Sequence, residues 1–214
     1  AAAAAAAADV RPGTLPPALR VAVRGVGGQG NLFLGKVLAE VAQRCGFSRI
    51  IKGETHGMAQ LGGAVVSTFA CGAVHSPVLA PASVDALVVM EMSEVLRPHF
   101  LDLLKPGGVV LLNRLRLVPV GVKEEDYPSL EKLRALLGPY RVVEFDALAE
   151  ASAIGDLAGR TTNVVALGLL STIPPFAAIP AATWQRAIRD LSPGEGARRG
   201  NLAAFERGRQ VLGG

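Results

Sequence analysis

The sequence predicts an α/β protein: a single doubly wound, mostly parallel sheet with flanking helices and a helical C-terminal region. Three observations carry this. A short β-rich run passes through a glycine turn straight into a helical pattern, the opening unit of such sheets. Fully apolar runs recur downstream, as strands covered on both faces require. Beyond Asp146 only helical patterns are found.

Taken in order, Leu19-Arg20-Val21-Ala22-Val23-Arg24 is the first strand and ends in Gly25-Val26-Gly27-Gly28-Gln29-Gly30. From Asn31 the spacing of Leu32, Leu34, Val37, Leu38 and Val41 is helical, and Gly46 closes the segment. Ile50-Ile51 reads as a second strand, running into a loop over 54–63 that is too rich in glycine for a helix. Residues 64–70 and 74–79 read as a pair of strands parted by Gly72, and 84–90 as a buried strand. Ser93 is the expected N-cap of a helix through Leu104, stopped by Lys105-Pro106-Gly107-Gly108. A strand at 109–112, a helix at 129–137 ended by Gly138-Pro139, and a strand at 141–145 follow. Helices are then expected over 147–153, 162–172, 181–190 and 197–212.

Composition narrows the function. With 50% hydrophobic and 19% charged residues over 214 positions, the chain can bury a core and is neither disordered nor fibrous. Eight alanines open the sequence; residues 1–18 read as a low-complexity or disordered lead-in and 19–214 as one domain. A net charge of +4 is too mild to announce a nucleic-acid binder. Two cysteines, Cys45 and Cys71, cannot build a four-thiolate cluster or a disulfide framework, which fits a reducing, cytoplasmic setting. Asp9-Val10-Arg11-Pro12 does not resemble a secretory signal. The uncharged stretch 161–185 is long enough to span a bilayer, but Pro174-Pro175 and Pro180 interrupt it, so a helix ending at the proline pair is expected instead.

Gly25-x-Gly27-x-x-Gly30 satisfies the dinucleotide fingerprint in a strand–turn–helix context. Glycines let backbone N–H groups approach an anion, and the helix N-terminus adds partial positive charge. A tight turn against a close-packed helix needs glycine too. The acidic residue expected about 20 positions on, at the end of the second strand, is missing. There the chain has Ser48-Arg49-Ile50-Ile51-Lys52, and Glu54 is the first acid after it. Arg49 or Lys52 keeps an NADP version open.

Together with His56-Gly57-Met58-Ala59-Gln60-Leu61-Gly62-Gly63, the turn resembles the gamma-type domain of 2-oxoacid:ferredoxin oxidoreductases, most of all the beta subunits of the indolepyruvate enzymes. Ser76-Pro77, Val84-Asp85-Ala86-Leu87, Thr162-Asn163-Val164 and Asn201-Leu202-Ala203-Ala204-Phe205 extend the likeness over about residues 20–208. The resemblance implies oxidative decarboxylation of a 2-oxoacid with coenzyme A to acyl-CoA, CO2 and reduced ferredoxin. It also implies that thiamine diphosphate, magnesium and iron–sulfur clusters lie on a large alpha-subunit partner, with ferredoxin engaged indirectly. No cofactor is then expected on this chain alone, and no activity in isolation. The Gly-Asp-Gly…Asn-Asn pattern that holds thiamine diphosphate and Mg²⁺ has only an echo in Gly155-Asp156-Leu157.

On this reading Gly25, Gly27, Gly28, Gln29 and Gly30 would hold a phosphate, that of coenzyme A, while Gly62 and Gly63 allow close approach. His56 and Gln60 would sit on the active-site rim. Leu61 stands where the resembling proteins carry a basic residue, which suits an apolar, aryl substrate. Two other readings stay open: a free-standing NADP oxidoreductase, and an assembly subunit whose turn is purely structural.

His75 and His99 read as structural or surface residues, and Met58, Met90 and Met92 as packing. Glu91 and Glu94 follow a strand at its carboxyl end, where an interface or ligand role is open, but read first as a solvated helix start favoured by the dipole. Arg186, Arg189, Arg198, Arg199, Arg207 and Arg209 form a basic tail, either a solvated face or a dock for an acidic surface.

Overall fold

All nine residues of the first strand, β1 (Ala18–Val26), pair with an antiparallel neighbour, β3 (Ala64–Gly72), in a register running from Ala18 against Gly72 to Val26 against Ala64. On its other side β1 runs parallel to β4 (Val84–Val89). The computed structural model describes residues 10, 13–26, 31–54, 64–118 and 121–213. The remaining strands are β2 (Ile50–Glu54), β5 (Leu104–Asn113) and β6 (Arg141–Phe145), and the sheet order is β2-β3-β1-β4-β5-β6. The pairs β1/β4, β4/β5 and β5/β6 are parallel, while β3 is antiparallel to both β1 and β2. The expected mostly parallel sheet is present, with one reversed strand making it mixed.

Helices cover both faces, as double winding requires. On one face lie α1 (Asn31–Arg44), α4 (Thr162–Leu170), α5 (Ala181–Leu191) and α6 (Gly194–Gln210), burying Leu34, Val37, Leu169, Trp184 and Phe205 against Val21 and Val23. On the other lie α2 (Leu130–Leu137) and two 3-10 turns, burying Phe100, Leu133 and Leu137 against Ala22, Val89 and Leu112. A short helix, α3 (Ala147–Ser152), follows β6. Every residue of β4 is buried, which explains its largely apolar character; its one charged residue, Asp85, accepts from the Arg20 N–H at 2.7 Å and pairs with Lys105. Ser129 caps α2 by accepting from the Lys132 N–H at 3.2 Å, and Asp146 caps α3 by accepting from Ala149 at 2.9 Å.

Four expectations are corrected. Residues 74–79 form no strand. Pro77 removes a ladder donor, and the segment is instead pinned by Arg49, which donates to Val74 O at 3.0 Å, and by Thr68, whose hydroxyl donates to Pro77 O at 3.3 Å. The helix expected over 93–104 is two 3-10 turns, Met92–Leu96 and Leu101–Leu103. Pro98 forces Arg97 into an extended conformation and His99 takes φ +61°, so no continuous helix passes. Residues 105–108 belong to β5 rather than to a stop, with a register shift against β4 between Val84 and Ala86. Helix α6 begins three residues before the expected 197, its first turn closed by Glu195 and Arg198 at 3.1 Å. Among the described residues no helix is long and apolar enough to cross a membrane.

Candidate functional site at the carboxyl edge of the sheet

Because β1 and β2 both run antiparallel to β3, they end at the same edge. Val26 pairs with Ala64 and Glu54 with Ser67, so the segments that follow β1 and β2 both leave from that edge. Of the expected site, Gly25 is described: it is a buried β1 residue opposite Val65. Gly27, Gly28, Gln29, Gly30, His56, Met58, Gln60, Leu61, Gly62 and Gly63 lie outside the described residues.

The edge contains the switch point of the fold. From β1 the chain crosses one face through α1 towards β2, whereas from β4 it crosses the other face towards β5 and β6. Open α/β sheets bind ligands at such crevices. Met90 donates to Arg24 O at 2.7 Å and so joins the carboxyl ends of β1 and β4. Asn113 donates to Met90 O at 2.9 Å and accepts from the Ala147 N–H at 2.9 Å, extending the junction to β5 and α3.

Glu91 and Glu94 are not a solvated helix start. They are 1% and 3% exposed. Glu91 accepts from the Ser93 N–H at 3.0 Å, the Ser93 hydroxyl at 2.6 Å, the Leu117 N–H at 3.2 Å and the Tyr127 hydroxyl. Burial, then the hydrogen bond to Glu91 and that carboxylate's charge, push the Tyr127 phenol well above its usual range. Glu94 pairs with Arg97 through Nε at 3.1 Å and Nη2 at 2.7 Å, and with Arg24 at 3.5 Å. Arg24 also lies over the Phe100 ring at 5.1 Å. Burial lowers the Arg24 pKa against the opposing pull of Glu94, whereas the hydrogen bond to Glu94 raises that of Arg97. Glu91 is covered by Leu117 and Tyr127 and Glu94 by Arg24, tertiary contacts with no local signature.

On the helical face opens a cavity of about 760 Å³. Phe33 in the first turn of α1, Asp156, Asn163 at the start of α4, and Gly200, Asn201 and Ala203 of α6 line it. Two segments of the family likeness, 162–164 and 201–205, thus meet beside the helix that follows the glycine turn. Asp156 accepts from the Thr161 N–H at 2.7 Å and the Thr161 hydroxyl at 2.9 Å. Burial acts to raise the Asp156 pKa, but these bonds, with help from the Arg160 backbone N–H and side-chain charge, hold it below the usual carboxylate range.

The remaining expectations divide. His75 bonds Arg49 at 2.7 Å and His99 bonds Asp102 at 2.9 Å on the surface, away from this edge in role. Met90 and Met92 are buried packing residues. The basic tail is partly paired within the chain, Arg198 with Glu195, Arg207 with Glu150 and Arg209 with Glu206. Cys71 is buried, and its thiol is pushed up to about 12 by that burial. Among the described residues no group of three or more His, Cys, Asp or Glu could hold a metal ion.

An α/β domain with a topological switch point at one sheet edge and a helix-walled cavity on one face belongs to the doubly wound class. Residues 20–211 match the model of the pyruvate ferredoxin/flavodoxin oxidoreductase family. The chain is 34% identical over 157 residues to indolepyruvate oxidoreductase subunit IorB of Archaeoglobus fulgidus, covering 71% of this chain and 75% of that one. Its fold is similar to pyruvate oxidoreductase subunit PORC of Thermotoga maritima, with TM-score 0.67 and 20% identity over 91% of this chain and 97% of the other. It is similar as well to 2-oxoglutarate:ferredoxin oxidoreductase from Magnetococcus marinus, with TM-score 0.66 and 21% identity over 92% of this chain but 31% of that longer one. The chain belongs to the pyruvate ferredoxin/flavodoxin oxidoreductase family.

Proposed function

We propose that the chain is the small subunit of a cytoplasmic indolepyruvate-type 2-oxoacid:ferredoxin oxidoreductase, which forms acyl-CoA from an arylpyruvate-like acid. The observation that carries this reading is the match of nearly the whole described domain to the family, together with the similarity to an IorB subunit. The solved structure of the Magnetococcus marinus enzyme contains 2-oxoglutarate, coenzyme A and succinyl-CoA. By analogy, the turn at 25–30 holds a phosphate of coenzyme A, while the loop at 54–63 presents His56 and Gln60 to the reacting groups. That both segments depart from one edge of the sheet supports the reading.

Thiamine diphosphate, magnesium and the iron–sulfur clusters belong, on this proposal, to a large alpha subunit. The two cysteines here do not suit a cluster: the Cys71 thiol is buried and protonated, and a cluster needs more thiolates than two cysteines supply. This chain then positions, excludes water and binds an anion, while the partner's cofactors carry the bond cleavage and the electrons. Glu91, Glu94 and Asn113 fix the ends of β1, β4 and β5 so that the crevice keeps its shape. Leu61 in place of a basic residue favours an aryl side chain over a second anion.

Purification from the native source tests the proposal directly. Mass spectrometry should identify a large thiamine-dependent, iron–sulfur chain in the same complex. Turnover of an oxoacid by the isolated chain would overturn it, and so would an isolated monomer that binds NADPH tightly.

A further inference from the structure

Helix α6 carries glycine where the fold does not ask for it. Gly208 is fixed by its crossing with α4, since a Cβ there would lie 2.0 Å from Val165 O. A Cβ at Gly196 or Gly200 would meet nothing within 4 Å, and neither residue has a positive φ. Glycine inside a helix is less stable than alanine, so two unforced glycines need another reason. Both line the cavity of about 760 Å³ on the helical face. A side chain at either position would take up part of that space, and glycine keeps it clear. The volume falls within the range of about 300–1,000 Å³ typical of small-molecule sites.

The lining says what the space can hold. Among the described residues three charged side chains line it, and two of them, Asp156 and Arg160, face each other at 3.7 Å. The third, Arg199, is exposed and makes no hydrogen bond or ion pair with any described residue. The one uncommitted charge is therefore a cation, and it favours an anion. Asn201 is steadied by donating to the Ser192 hydroxyl at 2.9 Å. Its amide oxygen takes no donor from the described residues, which leaves an acceptor for a ring N–H or an amine. Phe33 adds an aromatic side chain, and bare helix backbone at Gly196 and Gly200 lets a flat group lie close.

We propose that this cavity binds a planar aromatic ring bearing an anionic group, with the anion on Arg199 and the ring over the glycines of α6. Two reactants of the proposed enzyme share that chemistry, an arylpyruvate and the adenosine 3′-phosphate end of coenzyme A. Naming them rests on the functional reading above; the preference of the cavity for an aromatic anion does not. Phe33 is the third residue of α1, roughly 3 Å along the axis from its start at Asn31. The cavity thus opens at the end of the helix that follows β1 and the glycine turn in the chain, on the side of the sheet edge where the candidate site is built.

The test titrates the full chain by calorimetry with two non-reacting probes, adenosine 3′,5′-bisphosphate and indole-3-acetate. At least one should bind, and Arg199→Ala and Gly200→Leu should each weaken it about tenfold or more. Arg199 is exposed and Gly200 has open space, so both variants should fold, which circular dichroism checks. Arg199→Lys should recover part of the affinity. Arg198→Ala is the control, a neighbouring arginine that does not line the cavity; an equal loss there would reduce the effect to general charge and overturn the inference. Tighter binding of the bisphosphate assigns the cavity to coenzyme A, and the variants should then raise the KM for coenzyme A in the assembled enzyme. Tighter binding of indole-3-acetate assigns it to the oxoacid, with the KM for the oxoacid raised instead. Binding of neither probe, or undiminished affinity in both variants, would overturn the inference and leave the subunit reading intact. Probe binding by a chain that joins no large subunit would overturn that reading and keep this one.

Discussion

Gly168 of α4 and Gly208 of α6 cross so closely that a Cβ built on either would fall 3.0 Å from the other's Cα. The same Cβ on Gly208 would lie 2.0 Å from Val165 O, and that on Gly168 would lie 2.1 Å from Phe205 O. These are backbone atoms and cannot rotate away. Gly168→Ala and Gly208→Ala should therefore each destabilise the fold by about 3 kcal/mol, the upper part of the overpacking range. Urea denaturation followed by circular dichroism measures this. Gly200→Ala on the same helix, facing open space, should leave stability unchanged or slightly raised.

Glu91 concentrates four donated hydrogen bonds on one buried carboxylate, and its loss strands them all. In Glu91→Ala the Tyr127 hydroxyl would be left buried without an acceptor, and the Ser93 hydroxyl and the Ser93 and Leu117 N–H groups would lose theirs. At about 1–3 kcal/mol for each unsatisfied group, a total near 4 kcal/mol is expected. Glu91→Gln keeps one acceptor oxygen and should cost about half as much. Thermal unfolding of the three proteins should place them in that order. Equal melting of Glu91→Ala and the unaltered chain would show that Glu91 does not hold Leu117 and Tyr127 in place.

What the sequence made legible was local. The first strand, the helix that follows it in the chain, the buried β4 run and the caps Ser129 and Asp146 all depend on neighbours close in the chain, and periodicity and capping chemistry report such neighbours faithfully. The reversed direction of β3 depends on which strand Val26 meets, and no local pattern records that Ala64 is its partner. The same holds for Glu91: its position after a strand looks solvated until Tyr127 and Leu117 fold over it. Residues 74–79 misled for a related reason. Val74 and Leu79 are apolar because they cover the second core, not because they pair in a ladder. The cavity was half legible, since the segments at 162–164 and 201–205 carried a family likeness without showing that they touch the same space.

Asp156 has a pH signature of its own. Its carboxyl is held below the usual range by bonds that exist only in the folded chain. The folded protein therefore releases this proton more readily than the unfolded one. The stabilisation is complete above the ordinary aspartate value of about 3.9 and is lost as pH falls through the lowered folded value. Asp156→Asn should cost about 1–2 kcal/mol at neutral pH, the scale of hydrogen bonds to a charged acceptor. Its stability should also fall less steeply in acid than that of the unaltered chain. Parallel acid limbs in urea titrations at successive pH values would remove the Asp156 carboxylate from this role.

The segments that follow β1 and β2 carry the kinetic prediction. If backbone N–H groups of the turn approach an anion, a branched side chain at Gly27 blocks that approach. Gly27→Val in the reconstituted complex should then lower acyl-CoA formation at least about tenfold, equivalent to about 1.4 kcal/mol of transition-state stabilisation. The defect should appear mainly in the KM for coenzyme A, because the group lost binds that substrate rather than the oxoacid. His56→Ala and Gln60→Ala should instead lower kcat with assembly retained, since their proposed place is beside the reacting groups. Initial-rate kinetics with each substrate varied in turn separates the two patterns. Unchanged kinetics in Gly27→Val with normal assembly would make the turn a packing device, and unchanged rates in the other two variants would take His56 and Gln60 out of the site.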